Sequence, residues 1–214
     1  MEQRLRGVLD LIDTQTTLRA KLLNTLSYLE HIGATKIAKT QSGPKADFMT
    51  LKHAAEEARH AFYLKRLCRK IDADSFPDYA LENLLAPIHS RQYLYRLDIA
   101  VARMVKKAGL QGEAMRKLSY LLVTYAIEVR ADDLYPVYES YLENYPERVS
   151  VSTIIAEEEG HLAEMESALA GYSPELQALK KEAIAFEEQL FEEWIAAMEQ
   201  ELQGIERPQA KVVV

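Results

Sequence analysis

Residues 156–161 read Ala-Glu-Glu-Glu-Gly-His, and residues 55–60 read Ala-Glu-Glu-Ala-Arg-His. A chain with only 5 histidines therefore contains the pattern Ala-Glu-Glu-x-x-His twice. Residues three apart lie on the same face of a helix, so a glutamate and a histidine at this spacing can bind one ion together. The two repeats predict two helices that each present a Glu-x-x-His pair to a shared interior.

The composition favours helices along the whole chain. Of its 214 residues, 48% are apolar, and there are only 8 glycines and 7 prolines. The abundant residues Ala, Leu and Glu are strong helix formers, and the scarcity of turn residues argues against a sheet protein. We predict an all-α fold, with one domain over residues 1–205 and a tail over residues 206–214.

Charge and cysteine content exclude several classes of protein. The formal net charge of -7 argues against a general nucleic-acid binder, so we expect no DNA partner. Cys68 is the only cysteine, which excludes an internal disulfide and a cysteine-based metal site within one chain. We find no signal-peptide pattern and no apolar run of roughly 18 residues. We therefore expect a cytoplasmic protein that does not span a membrane.

Turn residues divide the chain into six predicted helices. Glycine and proline at 43–44 end the first helix, and the turn formers of 72–77 end the second. Pro136 is expected to kink or split the fourth helix, because proline removes a helical hydrogen bond. The predicted ranges are 2–40, 45–69, 88–108, 113–144, 146–170 and 174–204, with a short helical segment near 79–85.

Two further glutamates match the two pairs in their distance from the turns. Glu30 lies about 13 residues before the first turn, and Glu57 lies about 14 residues after it. Glu128 lies about 17 residues before the turn near Pro146, and Glu158 lies about 13 residues after that turn. At about 1.5 Å of rise per residue, antiparallel packing would bring each lone glutamate level with a Glu-x-x-His pair.

These side chains form a plausible ligand set for two metal ions. Glu30 and Glu128 lie in apolar sequence, where an unpaired carboxylate is costly to bury and a cation would offset the cost. Four carboxylates carry four negative charges, which two divalent ions cancel, and two imidazoles complete a set suited to iron or manganese. The predicted metal ligands are Glu30, Glu57, His60, Glu128, Glu158 and His161.

The motifs carry a family resemblance. Through Glu30, Glu57-Ala58-Arg59-His60, Glu128 and Glu158-Glu159-Gly160-His161, residues 15–170 resemble the ferritin-like di-iron carboxylate proteins. This superfamily includes rubrerythrins, ribonucleotide reductase small subunits, multicomponent monooxygenases and the tRNA-modifying hydroxylase. The resemblance implies a ferritin-like four-helix bundle, here with one additional helix between its two halves and a long C-terminal helix.

The resemblance also implies a role for each ligand. Glu57 and Glu158 correspond to bridging ligands, and we assign the catalytic role to them. Glu30 and Glu128 correspond to terminal ligands, and each histidine would bind one metal. The residue before each bridging glutamate would accept a hydrogen bond from the opposite histidine and so orient its ring. These outer residues are Glu56 and Glu157.

The sequence differs in two ways from rubrerythrins, one branch of this superfamily. Rubrerythrins carry a second glutamate three residues after the lone one on their third bundle helix, and Ala131 stands at that place. They also often have a cysteine-rich iron domain, whereas Cys68 is alone. The helix near 88–108 and the long last helix exceed a minimal ferritin bundle. A typical peroxide-reducing rubrerythrin and a cage-forming iron store are therefore disfavoured.

Other residues are candidates for supporting roles. Tyr125 and Tyr135 fall on the same side of their helix as Glu128, and His53 falls on the side of Glu57, so each is either a core residue or a partner of the ligands. A basic stretch is either a solvated helix face or a dock for an anionic substrate, a carrier protein or RNA. It comprises Arg91, Arg96, Arg103, Lys106, Lys107, Arg116 and Lys117.

Three functions fit these observations. The first is an oxidase or oxygenase with two iron or manganese ions, which uses O2 or peroxide, a small-molecule substrate and an unidentified electron donor. The second is a ferroxidase or iron-handling protein, and the third is a non-catalytic helical interaction module. An apolar pocket that reaches the ligands would favour the enzyme, and a hydrophilic channel in a spherical multimer would favour storage. The sequence does not determine the substrate, the metal or the oligomeric state. A homodimer is one of the oligomeric states that fit.

Overall fold

The structure is a computed structural model that describes residues 2–40 and 47–204. Within these ranges it contains seven α-helices, a 3-10 turn at Leu81–Asn83 and no β-strand, so the predicted all-α class is confirmed. The helices are α1 Glu2–Asp13, α2 Thr16–Thr40, α3 Phe48–Ile71, α4 Pro87–Lys107, α5 Gly112–Leu142, α6 Ser152–Leu169 and α7 Pro174–Gln203. The predicted turn at 41–44, the predicted helix start at Lys45 and the predicted tail at 206–214 lie outside the described residues.

α2 and α3 form the first hairpin and make the most extensive helix contact among the described elements. α3 begins where the Asp47 carboxylate accepts a hydrogen bond of 3.2 Å from the Thr50 N–H, which satisfies one unpaired donor of the first turn. The Ser27 hydroxyl of α2 donates to the Ala61 carbonyl of α3 at 2.6 Å. In this antiparallel register Glu30, one turn after Ser27, lies level with Glu57, one turn before Ala61.

α5 and α6 form the second hairpin. The Glu139 carboxylate accepts a hydrogen bond of 2.6 Å from the Val151 N–H at the start of α6, which fixes how the two helices enter the turn. About three turns from this contact along each helix lie Glu128 and His161. The second hairpin therefore repeats the arrangement of the first.

α1, α4 and α7 pack against these hairpins. α4 contacts α7 and α5, and α1 contacts α7, α2 and α5. Phe191 and Trp194 of α7 are buried, and the Trp194 indole N–H donates to the Ser90 hydroxyl of α4 at 2.8 Å. Burying aromatic side chains of this size is the main source of stability for such contacts. The last helix is thus an integral part of the core.

The prediction of a single first helix over residues 2–40 was wrong, because the structure has two helices in this range. The Thr14 hydroxyl donates to the Leu11 carbonyl at 2.6 Å, and the Gln15 N–H reaches the Ile12 carbonyl at 3.3 Å. These local bonds replace the helical i to i−4 pattern and end α1. The break lets α1 bury an apolar face consisting of Leu5, Val8, Leu9 and Ile12.

Three other predicted boundaries also change. The fifth predicted helix begins at Ser152 rather than near Pro146, because residues 143–151 form a connection held by Glu139. α5 remains one helix through Pro136, so of the predicted kink or split, the split does not occur. Buried side chains on both sides of the proline, Tyr135 and Tyr138, hold that segment in place. The segment predicted near 79–85 is helical only as the 3-10 turn.

None of the described helices combines the length and the apolar character that a membrane crossing requires.

Candidate metal centre

The six predicted ligands lie together in the interior. Two overlapping groups of four have potential ligand atoms that all lie within 4.8 Å of one another. The first group is Glu30, Glu57, His60 and Glu158, and the second is Glu57, Glu128, Glu158 and His161. Glu57 and Glu158 belong to both groups. The arrangement therefore resembles two adjacent sites that share two carboxylates.

α3 and α6 bring the two Glu-x-x-His pairs face to face. The pairs lie at equivalent places on helices that run antiparallel, as the contacts His60–Glu158 and His161–Glu57 show. On each helix the glutamate and histidine are three residues apart and point the same way. α2 and α5 then supply one further carboxylate each, from Glu30 and Glu128.

The Nδ1 atoms of both histidines face the carboxylates. His60 Nδ1 lies 3.0 Å from Glu158 Oε1, and His161 Nδ1 lies 3.3 Å from Glu158 Oε2 and 3.5 Å from Glu128 Oε1. The centres of the two imidazole rings are 6.3 Å apart. Each ring can therefore serve one of two neighbouring ions.

The outer nitrogens of the histidines bind the acidic residues that the sequence singled out. His60 Nε2 lies 2.8 Å from Glu157 and His161 Nε2 lies 2.8 Å from Glu56, so each ring pairs with the opposite hairpin as expected. In a neutral imidazole, a carboxylate at Nε2 holds the proton there and leaves the lone pair on Nδ1. Both Nδ1 atoms are buried and form no hydrogen bond within the described structure.

Unpartnered imidazole nitrogens that face buried carboxylates are what a metal-binding shell requires. A buried polar atom without a partner is rare, because losing its hydrogen bond to water is costly. Besides the two Nδ1 atoms, Glu128 Oε2 is also buried without a partner. The donor set of carboxylates and neutral imidazoles fits iron or manganese.

Burial and mutual repulsion raise the pKa of two of the carboxyl groups. For Glu57 the largest cause is burial, followed by the neighbouring charges of Glu30, Glu158 and Glu128, and the pKa lies well above its ordinary value. Burial also raises the pKa of Glu128 well above its ordinary value, and the hydrogen bond with Glu158 adds to this effect. In the metal-free protein these groups therefore hold their protons to higher pH.

The other two groups shift towards their charged forms. Burial alone would raise the pKa of Glu158, but the adjacent Glu128 carboxyl group and the imidazoles of His161 and His60 hold it well below its ordinary value. Burial likewise opposes charge on His161, yet Glu128 and Glu158 together raise the pKa of this imidazole to about 11. A bound cation would need His161 neutral, so it has to displace this proton.

Of the two tyrosines singled out in α5, one contacts a ligand. The Tyr135 hydroxyl donates to Glu30 Oε1, and burial followed by the charge of Glu30 raises the pKa of this phenol well above its ordinary value. Tyr125 instead donates to Glu166 at 3.1 Å. Glu166 belongs to neither ligand group. Tyr135 is therefore the tyrosine that fixes the position of a predicted terminal ligand.

His53 lies beside the candidate centre but outside both ligand groups. Its ring centre is 4.4 Å from that of His161, and its Nε2 lies 2.7 Å from the Glu164 carboxylate. Burial lowers the pKa of His53 in spite of that carboxylate. The histidine packs against the ring of a predicted ligand and is not one of the six converging groups.

A cavity of about 1270 Å³ opens onto the carboxylates. Its walls include Glu30, Glu57 and Glu128, together with apolar side chains of α2, α4 and α5. Gly33 lies one turn after Glu30, and a β-carbon at this position would meet Glu57 Oε2 at 4.0 Å. Gly33 and Glu57 both line the cavity, so a larger side chain at position 33 would project next to the Glu57 carboxylate.

A second buried charge cluster was not predicted from the sequence. Arg130 binds both carboxylate oxygens of Glu187 at 2.9–3.2 Å, and the Tyr93 hydroxyl donates to the same carboxylate. The Arg130 guanidinium also lies 4.1 Å from the centre of the Phe191 ring. Arg130 follows Glu128 by two residues in sequence, but only the packing of α7 reveals its partner. Each charged group of this cluster has a partner, whereas the candidate centre contains buried polar atoms without a hydrogen-bond partner among the described residues.

Comparison with known proteins gave no match to a protein family, to a curated protein or to a solved structure. The function must therefore be argued from the site itself.

Proposed function

We propose that this chain is a dinuclear iron or manganese protein that uses O2 or peroxide to oxidise a small organic substrate. The observation that carries the proposal is the pair of overlapping ligand groups that share Glu57 and Glu158. The inward Nδ1 atoms of both histidines support it, since they lack any other partner. We assign two ions to each chain.

Each ion would have a carboxylate-rich shell with one nitrogen. Glu30 and His60 would hold the first ion, Glu128 and His161 would hold the second, and the two shared glutamates would bridge them. Bound iron would supply the electron-transfer chemistry that O2 reduction requires, which carboxylates and imidazoles cannot supply. Four carboxylate charges and two divalent cations leave a neutral, buried unit, which a low-dielectric interior favours.

The protein groups around the shell keep it in place. Glu157 and Glu56 hold the Nε2 protons of His60 and His161, which keeps Nδ1 available as a ligand atom. The Tyr135 hydroxyl occupies one oxygen of Glu30 and directs this carboxylate. These contacts preorganise the ligands, so that little rearrangement accompanies binding.

The cavity favours an enzyme over the two other functions. Its side chains are largely apolar and it ends at three of the predicted ligands, which suits an organic molecule better than a hydrated ferrous ion. A structural salt-bridge network would pair its buried polar atoms, as the Arg130–Glu187 cluster does. The candidate centre instead leaves Glu128 Oε2 and both Nδ1 atoms without partners.

Metal analysis followed by O2 mixing tests the proposal. After anaerobic loading with ferrous iron we expect two ions per chain, and on mixing with O2 we expect new absorption in the ultraviolet and visible range. Glu57→Ala and His161→Ala should each abolish metal binding and turnover, while Glu159→Ala, an exposed residue of the same helix as His161, should behave like the unaltered protein.

The same experiment separates the alternatives. Unchanged metal content in Glu57→Ala and His161→Ala would reject the dinuclear centre. Steady uptake and oxidation of many ferrous ions per chain would favour iron handling over oxidation of an organic substrate.

A further inference from the structure

The cavity beside the predicted ligands is large enough for an extended molecule. Its volume of about 1270 Å³ exceeds the roughly 300–1,000 Å³ of common ligand pockets. Glu30, Glu57 and Glu128 lie at one end, which we call the deep end, and Lys39, Arg116 and Lys117 also line the cavity. This second end, which we call the mouth, lies at the C-terminus of α2 and the N-terminus of α5.

The wall between the two ends is apolar. On α5 the lining residues follow helical spacing, so one face of the helix runs along the cavity. This stripe consists of Val123, Ile127, Ala131 and Leu134. Arg130 also lines the cavity, but Glu187 binds its Nε and Nη2 atoms and neutralises the guanidinium. A ligand in this part of the cavity would meet methyl and methylene groups.

The mouth is cationic and has a free polar group. Lys39 and Arg116 are exposed and form no ion pair with another described residue, whereas Lys36 is paired with Asp98. Glu113 and Asp47 also line this end of the cavity, so Lys39, Arg116 and Lys117 there outnumber the two carboxylates by one charge. One turn inward from Arg116, the Ser119 hydroxyl lines the cavity, is shielded from solvent and has no hydrogen-bond partner in the described structure.

Both helices give a similar distance from the mouth to the deep end. At about 1.5 Å of rise per residue, Lys39 lies about 14 Å from Glu30 along α2, and Arg116 lies about 18 Å from Glu128 along α5. An extended chain covers about 1.2 Å per bond, as the reach of about 3.6 Å for the three backbone bonds of a residue shows. The cavity therefore spans about 12–15 bonds.

We propose that the substrate is a long-chain amphiphilic anion, such as a fatty carboxylate or an alkyl phosphate. Its anionic group binds Lys39, Arg116 and the Ser119 hydroxyl at the mouth, and its apolar chain extends to the deep end. The reverse orientation would place the anion beside the buried carboxylates, which repel it. This inference rests on the proposed function, since it names the molecule that the same centre would oxidise.

Trp194, the only tryptophan of the chain, reports on the orientation. It lines the cavity together with Leu26, which lies one turn before Glu30, and with Leu134, the neighbour of Tyr135. A bromine atom quenches tryptophan fluorescence only at short range. Dodecanoate brominated at its terminal carbon should therefore quench Trp194 saturably, and dodecanoate brominated next to its carboxylate should quench it at least threefold less.

Variants at the two ends test the two halves of the proposal. Lys39→Glu with Arg116→Glu should weaken binding of the terminally brominated carboxylate at least tenfold, and it should change binding of the equally long brominated alcohol by less than twofold. Gly33→Leu fills the deep end and should shift the preferred chain to shorter lengths. Gly7→Leu, at an exposed helix position with open space around it, is the matched control and should change neither property.

The measurement uses the full chain with its metal content determined in parallel. The proposal would be overturned if quenching were not saturable or if the two bromo isomers quenched equally. It would also be overturned if the charge-reversal variant lost the same binding affinity for the brominated acid and the brominated alcohol. Ala131→Leu provides a second block on α5 if Gly33→Leu alters metal content, and an unchanged chain-length preference in it would count against the cavity. Two bound metals without quenching would reject this inference alone, and quenching without metals would reject the dinuclear centre.

Discussion

Replacement of Glu128 by leucine should stabilise the metal-free protein. Glu128 is 2% exposed, and its Oε2 atom has no hydrogen-bond partner in the described structure. A buried polar atom in this state costs about 1–3 kcal/mol. The other oxygen, Oε1, lies 3.5 Å from His161 Nδ1, and this attraction offsets part of the cost. Glu128→Leu should therefore raise the free energy of unfolding by about 1 kcal/mol, the low end of that range, in the absence of metal, while it removes a ligand of one proposed ion.

The sign of this effect depends on pH. Burial raises the pKa of Glu128 in the folded protein above the value of 4.5 expected for an unfolded chain. The carboxyl group therefore destabilises the fold above that unfolded value, and the destabilisation disappears at lower pH, where the group is protonated in both states. The advantage of Glu128→Leu should be present at pH 7 and shrink towards pH 4.

Urea unfolding in the presence of a chelator, at both pH values, measures the effect. Glu187→Leu is the matched control, because Glu187 is 1% exposed but is bound by Arg130 and Tyr93. Removing one partner of a buried ion pair costs about 3–5 kcal/mol, so this variant should lose stability. Two equally buried glutamates should thus give changes of opposite sign.

A clear loss of stability in metal-free Glu128→Leu would refute this reasoning. It would mean that the carboxylate cluster stabilises the fold as a salt-bridge network, and the helical interaction module would then become the better account of this chain.

Three further predictions concern the shell around the centre. Glu157→Ala should weaken metal binding about 10–100-fold by releasing the Nε2 proton of its histidine, while the exposed Glu159→Ala should leave it unchanged; competition with a chelator of known affinity measures both. Tyr135→Phe should keep two ions per chain but lose the hydrogen bond to Glu30, so thermal unfolding should show a loss of about 1 kcal/mol. Because the pKa of His161 is raised to about 11 in the metal-free protein, binding must release its proton, and metal affinity should rise at least tenfold per pH unit between pH 6 and 8; a flat profile would contradict the pKa shift.

The helical spacing of the motifs predicted which six side chains converge. A Glu-x-x-His pair fixes its own geometry on a helix, and equal distances from a turn predict equal depth in an antiparallel hairpin. For this reason the sequence indicated all six converging side chains and the outer partners Glu56 and Glu157. Periodicity carries this information because the contacts depend on position along straight helices.

Features that depend on tertiary packing were not predicted. The Arg130–Glu187 pair joins helices that are distant in sequence, and nothing local marks either residue as buried. The break at Thr14–Gln15 has no glycine or proline to signal it, and the start of α6 at Ser152 depends on the side chain of Glu139. The cavity likewise depends on how α4 and α7 pack, and the position of Gly33 next to Glu57 in its wall could not be read from local sequence.

Anomalous diffraction at the iron absorption edge, from crystals of the iron-loaded protein, tests the central claim most directly. The account predicts two peaks per chain, about 3.5–4 Å apart, both within bonding distance of Glu57 and Glu158. A single peak, no peak, or iron bound away from these two carboxylates would contradict it.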